Sequence, residues 1–466
     1  MAAHALQAYV AEAGSARPPI VHVDVSDAVP AGRGLVATCT TKCGDVLLSI
    51  PPRALLNPVA LTRGQRVPWT PAKRGDAAPN PSPLSTHQLL AFVLALWKST
   101  MRRAETPTTK YDAFFASLPT SFPTVPLTWD VDKRTDLLDA LPPSAAHRQT
   151  QLQRRCYADW ARVEALDDAT VASIWSCIHT SSFVRPTFDE FVWGWLCTNS
   201  RCVYMDLNYV RHEDNFTLAP LLDMANHTAR TELECKVRYS RSDGLELCAP
   251  RQPLSPGDEV CITYGPHGNA MLLVEYGFVL PMTLHPETPW PGNPHSDVSV
   301  DDMVLTLLDE QGAIGAWKRA LLQSEGYWGD YTLHPMPAPA HPSHRLRTAL
   351  RLVCMDVQDT RPPPLASDDQ SVKKRRTPRI YTRDDAQRAW RLVTHGGRDA
   401  ISDENERAVR RHVLTLCTKV EQEHQKRWAS LEGQEGEAVE MLRSLLREER
   451  QIARLVYASA EREDAW

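Results

Sequence analysis

The sequence contains no Cys-x-x-Cys pair, although it holds 11 cysteines. Cys39 and Cys43 come nearest, but no second ligand pair stands at finger-like spacing, so no zinc site or other metal centre is expected. An odd number of scattered thiols fits reduced cysteines, and the cytoplasm or nucleus is the expected location. Long apolar runs are missing too. The longest, Leu89 to Trp97, is nine residues, whereas a membrane span needs roughly 20, so it reads as a buried core helix. The opening MAAHALQAYVAEAG has neither the basic start nor the long apolar centre of a secretory leader. Residues 2–13 read instead as a short amphipathic helix ended by Gly14. Basic residues are in no excess: 52 Lys and Arg face 57 Asp and Glu, for a formal net charge of -5. A general phosphate-backbone binder needs the opposite balance. The expectation is a soluble monomer without nucleic-acid or membrane partners.

What remains is ordinary globular material: 42% apolar and 23% charged residues allow a sizeable core. A length of 466 residues favours two or three domains. Residues 20–60 carry β-type signals, because VHVDV alternates and VLLSI is an apolar run closed by Pro51-Pro52. Residues 66–83 are rich in Pro, Ala and charge and read as a loop or insertion. From about 85 to 195 the pattern turns helical. STHQLLAFVLALWKSTMRR opens on a cap at Ser85 or Thr86, and Tyr111 to Phe115, the stretch at Leu137 and Leu138, and FDEFVWGWLCTNSR continue it. Strand and turn signals return at 216–280, so one β-rich unit is interrupted by a helical insert.

Beyond about 297 the chain is helical again. Leu442, Leu445, Leu446, Ile452, Leu455 and Val456 fall at three- and four-residue steps and form one apolar face. That face reads as a helix packed on its own domain. Residues 358–380 interrupt the pattern with Pro, Ser and charge and read as a disordered loop. Within it, Lys373-Lys374-Arg375-Arg376 reads first as a solvated charge run and second as a nuclear localisation signal. There is no internal repeat.

Three segments carry chemistry. In AGRGLVAT, residues 31–38, two glycines flank Arg33 between β-like stretches, so the backbone can turn tightly and approach a ligand. An ordinary hairpin needs the same. Ala37 and the absence of a following helix disfavour a Rossmann nucleotide site. In LAPLLDMANHT, residues 218–228, an apolar run leads into Asp223 and then Asn226-His227. In GDEVCITYGPHGNAMLLVEYGFVL, residues 257–280, Gly257-Asp258 starts a strand that Val260 to Thr263 form and Tyr264-Gly265 end. A helix-like stretch then reaches Tyr276-Gly277-Phe278. Singly, each has a bland reading: a turn with a hydrogen-bonded imidazole, a strand end, core aromatics.

Together and in this order, the segments resemble the SET-domain methyltransferases, in particular the branch typified by the plant Rubisco large-subunit lysine methyltransferase. The resemblance implies an α+β chain: an N-terminal helix over 1–19, then a β-rich SET fold over 20–280 with knot-like threading. The helical insert of about 85–195 interrupts that fold, and an all-α substrate-binding domain follows over 297–466. It implies S-adenosyl-L-methionine as cofactor and a lysine-bearing, non-histone protein as substrate. By resemblance, Gly32-Arg33-Gly34 matches the turn that holds the methionine end of the cofactor through backbone groups. Ala31 stands where some members have an acidic side chain, so that contact is missing. Arg201, after Ser200, matches the arginine that pairs with the cofactor carboxylate, a task suited to a forked guanidinium. Asp223, Asn226 and His227 match the motif along the cofactor, and Tyr264 matches the catalytic tyrosine. Tyr276 and Phe278 match aromatics near the lysine channel and the adenine, with plain core packing an equal reading.

The chemistry implied is a positioning problem, since the methyl group arrives already activated. Holding a lysine of pKa near 10.4 neutral at pH 7 costs about 4.6 kcal/mol, and a dry channel lowers that cost by disfavouring ammonium. One member of the branch methylates a histidine and carries Asn two residues after its Ser/Thr-Arg step. Val203 stands at that place, which favours lysine and puts Val203 among the substrate-facing residues. A SET-like binding module without catalysis is the other alternative, and the intact Asn226, His227 and Tyr264 argue against it.

Overall fold

The computed structural model describes residues 2–13, 18–75, 84–102, 109–179, 182–240, 244–283, 287–358 and 380–466. Gly14, residues 76–83 and nearly all of the 358–380 loop, with Lys373 to Arg376, lie outside those residues. The chain divides into two compact units. The first comprises 1–134, 148–267 and 272–277; the second comprises 135–147, 268–271 and 278–466.

In the first unit, the alternating VHVDV stretch becomes β1 (Val23–Ser26), and β2 (Gly34–Ala37) returns beside it antiparallel, Val23 opposite Ala37 and Ser26 opposite Gly34. Gly32 makes the reversal at φ +92°, a conformation costly for any residue with a Cβ. The apolar VLLSI run is β3 (Val46–Ile50). After the helical insert come β4 (Cys202–Tyr204), β5 (Phe216–Leu218), β6 (Asn226–His227), β7 (Lys236–Ser240), β8 (Gly244–Cys248) and β9 (Glu259–Ile262). One sheet has the order β1-β2-β9-β6, a second β3-β8-β7, and β4 pairs with β5. The β9 strand is antiparallel to β2 but parallel to β6, with Asn226 opposite Cys261 and His227 opposite Ile262.

The helical elements of this unit begin with α1 (Ala2–Glu12) and α2 (Pro58–Leu61), followed by α3 (Thr86–Met101), α4 (Asp112–Phe115) and α5 (Pro126–Val131). Then α6 (Thr135–Asp139), in the second unit, leads to α7 (Pro143–Glu164), α8 (Asp168–Ser176) and α9 (Phe188–Arg201). Ser85 is the cap of α3: its hydroxyl accepts from Gln88 N–H while Gln88 reaches back to the Ser85 N–H. Thr187 and Glu190 cap α9 in the same reciprocal way. Gly194 brings α9 against α3, since a Cβ there would stand 2.4 Å from the Ala91 carbonyl oxygen. The helix so fixed ends at Arg201, which is how a core contact aims a functional side chain.

The second unit holds α10 (Asn269–Tyr276) in part, then α11 (Asp301–Asp309), α12 (Gly312–Ser324), α13 (His344–Val353), α14 (Arg383–Thr394), α15 (Asp403–Ser430) and α16 (Glu437–Glu461). Leu442, Leu445, Leu446, Ile452 and Val456 are buried along α16 as their spacing requires, and Leu455 packs at the edge of the core. An all-α reading of this region needs correction. Strands β10 (Val298–Ser299), β11 (Thr332–His334) and β12 (His341–Pro342) form a small antiparallel sheet, too short to leave an alternating signature in sequence.

Glu448 is buried in this unit. One carboxylate oxygen accepts from Asn269 Nδ2 and Ser296 Oγ, each at 2.8 Å, and the other from Asn293 N–H at 3.2 Å. Burial nonetheless pushes its pKa up to about 7. The native state therefore binds a proton more tightly than the unfolded chain. Its stabilising contribution is complete below the unfolded value of 4.5 and is lost as pH rises through about 7. Glu448→Gln should flatten that slope: between pH 5 and 8 the wild-type urea midpoint should fall, by up to about 3 kcal/mol in stability, relative to the variant. Parallel profiles for the two proteins would contradict this.

Candidate active site

The segment 219–228 gathers the site. Leu221 is fully buried at φ +69°, ψ −50°, a conformation costing a β-carbon residue roughly 1–3 kcal/mol. It opens a tight 3-10 turn, Leu222–Met224. That turn exposes its carbonyls to neighbours from distant sequence. Arg201 Nη1 donates to the Asp223 carbonyl at 2.8 Å and to its carboxylate at 3.0 Å. The Tyr264 hydroxyl donates to the Ala225 carbonyl at 2.9 Å. The Asn226 side-chain amide donates to the Arg33 carbonyl at 3.0 Å and to Glu259 Oε1 at 2.7 Å.

The parallel pairing of β6 with β9 then sets His227 beside Tyr264. His227 Nδ1 accepts from the Tyr264 backbone N–H at 3.1 Å, which places the ring proton on Nε2. The two rings lie 5.2 Å apart, and Tyr276 stands 4.9 Å from Tyr264 on the last turn of α10. His267 Nε2 lies 3.0 Å from the Tyr264 carbonyl oxygen. Burial raises the pKa of Tyr264 far above the ordinary phenol value and pushes Tyr276 up to about 12. Both hydroxyls are protonated at neutral pH. Burial likewise pushes the Asp223 carboxyl upward, and Arg201 offsets only part of that.

The structure thus brings together Gly34, Arg33 through its carbonyl, Arg201, Asp223, Asn226, His227, Tyr264 and Tyr276, all in the first unit. The Arg33 side chain turns away to an exposed pair with Asp27 at 2.7 Å. Val203 sits half-buried in β4 opposite Thr217, two residues past Arg201. Phe278 belongs to the second unit. Glu259 and His267 escaped the sequence reading. A lone acid at a strand start and a histidine after a Gly-Pro step carry no distinctive signal.

Two buried polar atoms matter for a ligand. Arg201 Nε and Asp223 Oδ1 have no hydrogen-bond partner among the described residues. An unused guanidinium N–H suits a carboxylate. The glycines divide the work: a Cβ at Gly32 would meet nothing within 4 Å, whereas one at Gly34 would stand 2.5 Å from Asn226 Nδ2. Gly34 therefore serves Asn226. Gly34→Ala should cost about 1–3 kcal/mol by overpacking, and adding Asn226→Ala should recover part of it. Strict additivity in a urea-denaturation cycle would show that the two positions do not press on each other.

No family model matches the chain. The ribosomal lysine N-methyltransferase set11 of Schizosaccharomyces pombe is 32% identical over 150 residues, 32% of this chain and 34% of that protein. SET domain-containing protein 4 of Mus musculus is 28% identical over 362 residues, 72% of this chain and 70% of its own. The match thus spans about a third of the first relative's length and 70% of the second's. Among solved structures, Rubisco LSMT bound to AdoMet aligns with 100% of this chain and 92% of its own at TM-score 0.58 and 17% identity. The SET domain of LSMT bound to lysine and AdoHcy aligns with 99% and 91% at TM-score 0.56 and 17% identity. At that identity the likeness establishes the fold.

Proposed function

We propose that this chain, which shares the fold of Rubisco LSMT and is 28% identical to SET domain-containing protein 4 of Mus musculus over 72% of its length, is a SET-domain, S-adenosylmethionine-dependent protein-lysine N-methyltransferase of the Rubisco large-subunit methyltransferase-like branch. The observation that carries the reading is the placement of Tyr264. Its hydroxyl is fixed by the Ala225 carbonyl, between His227 and Tyr276, within a site whose Arg201 keeps a buried donor unused. Two of the relatives are named as ribosomal lysine N-methyltransferases, which makes a non-histone acceptor, and a ribosomal protein first, the substrate to test.

Bound S-adenosylmethionine supplies a methyl group already activated on sulfonium. Arg201 would take the carboxylate of its methionine end, and the Asn226-His227 strand would lie along it. Tyr264 has a narrower task than proton removal. With its pKa raised by burial and its O–H donating a hydrogen bond to the Ala225 carbonyl, it is a neutral phenol. Its remaining lone pairs can accept from an amine N–H and so aim the nitrogen lone pair at the methyl carbon. The amine must lose its proton before or outside this contact, helped by a water-poor channel.

Tyr264→Phe should leave the fold intact and reduce methyl transfer at least a hundredfold in a labelled-methyl assay on cell lysate, with ribosomal proteins the labelled fraction. Full activity in the variant would sink the assignment. Separately, Asn226→Ala releases the Arg33 carbonyl and Glu259 together, so titration calorimetry should show S-adenosylmethionine binding weakened about tenfold or more. Unchanged affinity would remove Asn226 from the cofactor site.

A further inference from the structure

The first unit contains a cavity of about 920 Å³ that the site above does not use. Its floor is apolar, formed by Leu55, Val59, Ala60, Met205 and Leu207. Its rim carries Arg53, Arg63 and Lys110, with Lys73 beside them, against the carboxylates of Glu12 and Asp206. Asp206 is already engaged by Arg74 at 3.2 Å. Among the described residues, none of Arg53, Arg63 and Lys110 has a carboxylate partner. The Lys110 ammonium rests 4.5 Å above the Tyr111 ring, and its pKa is lowered by burial first and by the Arg63 guanidinium second. Two cations thus repel across the same wall, a cost that an anion in the cavity would remove.

The backbone adds a second observation. Arg63 sits at φ +52° and Gly64 at φ +76°. The left-handed region suits glycine or asparagine, and an arginine there is strained. The chain holds a guanidinium at this rim despite that strain. The wall is also joined to the active site through the chain. Met205 and Leu207 follow directly from β4, which begins after Arg201, and four extended residues span at most ~13 Å.

We propose that this cavity docks an acidic, partly apolar peptide segment of the protein substrate. Carboxylates meet Arg53, Arg63 and Lys110, and an apolar side chain enters between Leu55 and Leu207. Ownership of the peptide by a methylation substrate rests on the methyltransferase reading; the binding itself does not. An apolar floor of this extent suits a peptide better than a bare phosphate, which needs only the rim.

The test uses the full chain and three fluorescein-labelled peptides: a Glu/Leu heptapeptide, its Gln/Leu counterpart and its Lys/Leu counterpart. Fluorescence anisotropy should show salt-sensitive binding of the acidic peptide, at least tenfold tighter than either other. Arg63→Gly with Lys110→Gln should abolish that preference. Because Arg63→Gly also relieves the left-handed backbone, the melting temperature should not fall, which separates lost binding from lost fold. For a lysine peptide bearing an acidic segment, the double variant should raise KM about tenfold and leave kcat unchanged. Equal binding of the Gln/Leu peptide, or full binding by the double variant, would overturn the proposal. So would displacement of the acidic peptide by inorganic phosphate or a short RNA at lower concentration than unlabelled acidic peptide. Intact acidic-peptide binding in a protein that transfers no methyl group would support the docking site while refuting the enzymatic reading.

Discussion

The side-chain amide of Asn226 is the joint on which the site depends. Its two N–H groups bind the Arg33 carbonyl, 193 residues earlier in the chain, and the Glu259 carboxylate at the start of the neighbouring strand. Without that joint, the β1–β2 hairpin and the two-residue strand β6 share no direct ladder, because β9 separates them in the sheet. Once it is made, the parallel register of β6 on β9 follows, and with it the Tyr264 N–H to His227 contact. Small elements are positioned here by a polar bridge, since a strand of two residues buries too little surface to position itself.

The second organising fact is that the site is buried and charged at once. Arg201 pairs with the fully buried Asp223 side chain, and each retains one buried polar atom that no described residue satisfies. Leaving such atoms unpaired costs on the order of 1–3 kcal/mol apiece. Together with the strain at Leu221, this is a local instability that the surrounding core, the α3–α9 contact in particular, must over-determine. The same burial holds Tyr264 neutral, so its role is directional.

Much of this was legible beforehand, for identifiable reasons. VHVDV and VLLSI announced strands by alternation and apolar continuity, and Ser85 with Gln88 announced a helix start by capping chemistry. The order of Gly32 to Gly34, Asn226-His227 and Tyr264 pointed to one centre, and the hydrogen bonds converge there. What escaped were features without a period. The strands β10 to β12 have two or three residues each. Glu259 looked like any exposed acid. The burial of Glu448 did leave a trace: the apolar stripe of α16 breaks between Leu446 and Ile452, and Glu448 and Glu449 fill the gap. A polar residue on a buried stripe is the informative observation.

Glu448 has one more consequence, and it concerns heat. At pH 6 this carboxyl is mostly protonated in the native chain, whereas a carboxyl of pKa 4.5 in the unfolded chain is mostly ionised. Unfolding the second unit at that pH therefore hands a proton to the solvent. The enthalpy recorded by calorimetry then includes the buffer's own heat of protonation, so a carboxylate buffer and an amine buffer at the same pH should report different values for one and the same folding reaction.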